Sequence, residues 1–191
     1  ELSCLRVKGS HMPRLLINVI NGGAHADWNL DIQEFHIIPH ASTVRESMRV
    51  AEETIGALGR ALHAEGHPTT SGDEGGFAPE LPKNEDALRL ISRAVRSAGY
   101  QLGRDVGMGM DVAASEFFDD PSYALRHPKK KLNAQSLVSL LQSWTRKYPL
   151  ELIEDPVAED DLEGWRIATR SLAKLGMTKK GIAEKIPQSA T

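Results

Sequence analysis

At 191 residues the chain is long enough to bury one core, yet shorter than the roughly 250 residues of a complete eight-stranded α/β barrel. Its 40% hydrophobic and 26% charged residues exclude wholesale disorder, and a net charge of -3 excludes a basic footprint for nucleic acid or an anionic membrane. Cys4 is the only cysteine, so one chain builds neither a disulfide nor a Cys-based zinc site. With no apolar run near the roughly 18 residues of a span and no secretory leader, the expectation is a soluble cytoplasmic protein.

The opening residues 1–13 read as a separate leader, and Gly9 to Met12 spell GSHM, a run that resembles a vector remnant and is set aside. From Leu15 the apolar run LLINVI, closed by Asn21, Gly22 and Gly23, reads as a strand over 15–20. LDIQEFHIIP reads as a second strand over 31–38, stopped by Pro39, with both a parallel and an antiparallel pairing to the first left open. Thr43 with Glu46 forms a capping-box pattern ahead of Val44, Met48, Ala51, Ile55, Leu58 and Leu62, the apolar face of a helix ending at Gly66. After the Gly-rich loop SGDEGGFAPELP, Asn84 is placed to cap a second helix, with Leu88, Ile91, Ala94 and Val95 on its buried face.

Beyond Gly99, strand and helix alternate, which argues for parallel strands under crossover helices. VGMGMDVA is a strand over 106–112, FFDDPSYALRHPKKK an irregular hairpin-like insert, Ala134 to Lys147 a helix, LELIEDP a strand over 150–155, and Trp165 sits in a last helix. Lys129 to Lys131 read as an exposed loop, and Trp144 and Trp165 as core. The fold class is therefore α/β in the order ββααβαβα, with a core domain over 14–172 and a charged, strandless tail over 173–191.

Period two sets Gly107, Gly109 and Asp111 on one strand face, and Leu150, Leu152 and Glu154 on one face of the other. Both acids then stand at strand C-termini, the end where α/β barrels carry their chemistry, and two hard oxygen donors there suit Mg2+. Spacing alone fits equally well with strand-end acids paired to Lys or Arg. Glu34, read by itself, is more readily a solvent-facing or salt-bridged carboxylate, and Glu74, in GDEGGFAP, reads equally as part of a flexible acidic loop. HADWNLDIQEFH, containing His25, lacks a diagnostic metal spacing.

Four segments together resemble enolase: NVINGGAHADWNLDIQEF, SGDEGGFAPEL, GMGMDVAASEF and LELIEDPVAEDD, in that family's order. The resemblance implies part of a TIM-type barrel and reversible dehydration of 2-phosphoglycerate to phosphoenolpyruvate, the glycolytic lyase reaction. It implies that Glu74, Glu34 and His25 are catalytic, that His25, Glu34 and Glu154 meet substrate, and that Asp111 and Glu154 hold Mg2+. The family's third metal-binding Asp and its base Lys have no counterpart; Lys174, Lys179, Lys180 and Lys185 lie in unmatched sequence. The chain alone is accordingly expected to be inactive and to form a homo-oligomer. The competing expectation is a non-catalytic enolase-derived interaction module.

Overall fold

The computed structural model describes residues 13–173 and 182–183. The leader assigned to residues 1–13, apart from Pro13, falls outside the described residues. So do the tail's four lysines.

The two leading apolar runs form β1 (Ile17–Asn21) and β2 (Glu34–Pro39), followed by α1 (Val44–Ala64), α2 (Asn84–Ser97) and β3 (Val106–Asp111). Then come β4 (Phe118–Asp119), β5 (Ser122–Arg126), β6 (Lys129–Leu132), α3 (Ala134–Thr145), β7 (Leu150–Glu154), α4 (Leu162–Ala173) and β8 (Ile182–Ala183). The main sheet is open and runs β1-β2-β3-β7-β8, so the described residues form a mixed α/β fold without a closed barrel. β2 is antiparallel to both β1 and β3, whereas β3-β7 and β7-β8 are parallel.

Register sorts the sheet into apolar and polar rows. Ile20, Phe35, Met110 and Ile153 form one apolar row, and Ile17, Ile37, Met108 and Leu150 another. This face packs on helices: the Ser92 hydroxyl of α2 reaches the Met108 sulfur at 3.7 Å. The opposite face carries Asn21, Glu34, Asp111 and Glu154 in one row and Asn18, His36, Gly109 and Leu152 in the next.

Several expectations need correction. Leu150 does not share a face with Leu152 and Glu154, because a register shift makes Glu151 an extra residue and returns Leu150 to the helix side. Val44 and Met48 are exposed, and α1 instead buries Ser47, Val50, Ala51, Thr54, Ala57, Leu58 and Leu62. Small residues on that face allow close packing against neighbours: a Cβ on Gly59 would already lie 3.2 Å from the Phe77 ring. Thr43 does cap α1, accepting from the Glu46 N–H at 3.2 Å.

Asn84 is not the cap of α2; Lys83 holds that position and Asn84 is the first helical residue. Its amide is committed elsewhere, accepting from Asp31 N–H at 2.8 Å and donating to the Asp31 carboxylate at 2.8 Å. The hairpin-like insert after β3 is a three-stranded antiparallel sheet, β4-β5-β6, and Lys129 to Lys131 lie exposed on its edge strand rather than in a loop. Tyr123 anchors it, donating to Asp161 at 2.6 Å and accepting from Ala158 N–H at 3.0 Å. The tail is not strandless, since β8 adds two residues beside Ile153 and Glu154.

Candidate active site

Glu34, Asp111 and Glu154 are register partners in sequence across three hydrogen-bonded strands. Glu34 opens β2 whereas the other two close β3 and β7, and the reversed direction of β2 is what brings a strand-start acid to the same rim as two strand-end acids. Neighbouring strands lie about 4.8 Å apart, so three carboxylates share a narrow band of surface. Burial pushes the Asp111 carboxyl up to about 6, and the charges of Glu154, Asp155 and Glu34 add to the shift against a favourable Ala113 N–H.

The backbone around these acids is tightly set. Asp111 accepts from Ala113 N–H at 2.9 Å and from the Gln33 amide at 3.4 Å. Ala113 and Asp155, each in the loop just after an acid-bearing strand, have φ of 45° and 40°, a conformation that costs energy for non-glycine residues. The Val112 N–H donates to the Glu154 carbonyl at 3.0 Å and the Ala114 N–H to that of Asp155 at 3.2 Å, tying the two loops together.

His25 lies in a short 3-10 helix (Gly23–Ala26) after β1, with Nδ1 3.3 Å from Glu34 Oε1. The other Glu34 oxygen is 2.8 Å from His36 Nε2. The hydrogen bond from His36 is the main influence holding the Glu34 carboxyl below its ordinary value, against its partial burial. Glu34 is therefore an anion between two imidazoles, beside an Asp111 that is far more reluctant to ionise. His25 also borders a cleft of about 530 Å3 walled by Trp28, Thr70, Asp73 and His127.

Glu74 is exposed at the tip of a turn whose base is built onto β1. Asn21 N–H donates to the Phe77 carbonyl at 2.8 Å, Phe77 N–H to that of Val19 at 3.0 Å, and Asp73 N–H to that of His25 at 3.2 Å. Its glycines serve different ends: Gly75 takes φ +82°, while Gly76 is needed for close approach, since a Cβ there would fall 2.5 Å from Asn21 Oδ1. The structure thus brings Glu34, Asp111, Glu154 and His25 together, and leaves Glu74 on an adjacent rim loop without a side-chain bond to them.

Sequence reasoning missed Asn18, Asn21, His36 and Glu151. Asn18 and Asn21 face the same side although three residues apart, because a register shift lies between Asn18 and Ile20. Glu151 is the extra residue of the second shift and pairs with His40 at 2.7 Å and Arg14 at 3.1 Å. Period two misplaces residues beyond a bulge, so only His36, two positions from Glu34, carried a readable signal.

Helices on one side of an open sheet and acids at one rim define a barrel-type α/β domain with a carboxylate centre. The family model described as enolase, C-terminal TIM barrel domain, matches residues 10–179, and the chain belongs to this family. No group of three or more His, Cys, Asp or Glu is arranged to hold a metal among the described residues. No helix among them is long and apolar enough to cross a membrane.

Proposed function

We propose that the chain carries part of the catalytic barrel of an enolase-type lyase, interconverting 2-phosphoglycerate and phosphoenolpyruvate with Mg2+. The observation supporting this reading is the in-register row Glu34, Asp111, Glu154 at one rim, with His25 against its first member. Asp111 and Glu154 would hold Mg2+, completed by water or substrate oxygens. When bound, the ion supplies positive charge to the carboxylate side of the substrate as the carbon acid ionises.

The reaction removes a proton from the carbon beside the carboxylate and the hydroxyl from the next carbon, which leaves with a proton as water. Glu74 is the proton donor to that hydroxyl, and an exposed rim position lets it meet substrate. Glu34 and His25 bind and orient the substrate, with Glu154 placed to contact it as well. No lysine of the acid-bearing strands β2, β3 and β7 offers itself as the base, and Lys131 and Lys147 are engaged by Asp119 at 2.8 Å and Glu85 at 2.9 Å. A positioned general base contributes about 100- to 10,000-fold. Phosphoenolpyruvate formation by the 191-residue chain in millimolar Mg2+ is therefore expected not to exceed that of its Glu74→Gln variant. Robust turnover lost in that variant would show that a base is supplied after all.

The second reading, a non-catalytic oligomerising or interaction module, is favoured by the edge of β7, which among the described residues is paired with β8 at Ile153 and Glu154 alone. Unpaired strand edges template association. Sedimentation analysis is expected to show self-association, and a monodisperse monomer unfolding cooperatively at high temperature would contradict it.

A further inference from the structure

We infer that His36 is a positioning residue that fixes the Glu34 carboxylate and, through it, the tautomer of His25. The functional consequence rests on the reading of Glu34 and His25 as substrate-side groups; the geometry does not.

His36 and Glu34 are two apart on β2 and so share a face, and His36 is only 3% exposed. Its register partner on β3 is Gly109, where a Cβ would sit in ordinary contact 3.6 Å from the His36 Cβ. Glu34 has only 19% of its side chain exposed, and an ionised carboxylate accepts but does not donate. The 2.8 Å contact therefore requires a proton on His36 Nε2.

Nothing competes for His36 among the described residues. Its Nδ1 is buried without a hydrogen-bond partner, and both amide atoms of Asn18, its register partner on β1, are likewise unpartnered. One carboxylate oxygen is thereby committed to a buried ring. The other, Oε1, lies 3.3 Å from His25 Nδ1, a nitrogen that makes no hydrogen bond to any other described group, so a proton carried there has Oε1 as its nearest acceptor. In a neutral His25 ring the remaining nitrogen, Nε2, is then the acceptor. His36 never reaches substrate in this account. It decides which nitrogen of the cleft-lining histidine carries the proton.

Long-range proton–nitrogen NMR of the full chain labelled with 15N-histidine tests this. In the wild type His36 is expected as the Nε2–H form and His25 with its proton on Nδ1. His36→Met is expected to shift the His25 ring nitrogens towards a mixed tautomer population, with those of His127 unchanged. His36→Gln, whose amide can donate to Glu34, is expected to restore the wild-type pattern. A residue serving only packing would lower the unfolding temperature in His36→Met without moving the His25 signals, and that result overturns the inference. Should His36→Met fail to fold, the wild-type tautomer decides: a His36 protonated on Nδ1 alone rules out the contact. None of these signals depends on turnover, so absence of lyase activity and failure of this inference are separately visible.

Discussion

Asp111 and Glu154 are the last residues of adjacent parallel strands and stand directly opposite one another in register. The charge of Glu154 opposes the ionisation of Asp111, and Glu34 on the far side of Asp111 adds to that opposition. Crowding of this kind is what a divalent cation would relieve under the proposed function.

The first consequence is a dependence on pH. The Asp111 carboxyl is raised from its ordinary 3.8 to about 6, so between those values the folded chain binds more protons than the unfolded one. Stability therefore falls as pH rises through that window, and the loss is complete above it. Asp111→Asn, without added metal, is expected to be more stable than wild type near pH 7.5 by on the order of 1 kcal/mol after solvent screening. The two should converge below about pH 4, close to the ordinary aspartate pKa. Urea unfolding at both pH values checks this, and a destabilised Asn variant at the higher pH would contradict it.

The glycine turn bearing Glu74 makes a second, local prediction. Gly76→Ala places a Cβ 2.5 Å from Asn21 Oδ1 and 3.0 Å from the Ile20 nitrogen, where the backbone has little room to give. A cost of about 1–3 kcal/mol is expected from this overpacking. Gly75→Ala meets nothing within 4 Å and loses only by its φ of +82°, for about 1 kcal/mol. Chemical denaturation should rank them in that order, with exposed Glu74→Gln within about 0.5 kcal/mol of wild type.

Asp31 makes a third. It is buried and accepts from Arg126 N–H at 2.7 Å, His127 N–H at 2.9 Å and the Asn84 amide at 2.8 Å. Asp31→Ala strands three donors, each costing about 1–3 kcal/mol, so a loss of at least 3 kcal/mol is expected. A loss under about 1 kcal/mol would show that water replaces the carboxylate.

The strands and helices of the core were legible because their apolar periods survive in the fold; β3 alternates with Val106, Met108 and Met110 on the helix side, as its sequence implies. Asp111 was legible for the same reason, whereas Glu154 was legible from Pro156 closing its strand, because the period of β7 breaks at Glu151. Glu34 was not placed by pattern, since only the antiparallel pairing of β2 brings a strand-start residue to that rim. Two register shifts hid Asn21 and Glu151, which period two assigns to the wrong side. Asn84 was misread as a cap because local sequence does not reveal that Asp31, 53 positions earlier, claims its amide. The chemical roles came from resemblance, and the geometry supplies the neighbourhood in which those roles can be tested.

Calorimetric titration of 2-phosphoglycerate into the full chain, with millimolar Mg2+ and again with a chelator, tests the central claim most directly. The account predicts saturable binding that requires Mg2+ and weakens at least about tenfold in Asp111→Asn, a difference of about 1.4 kcal/mol. Absence of binding, or binding unchanged by the chelator and by Asp111→Asn, would contradict it.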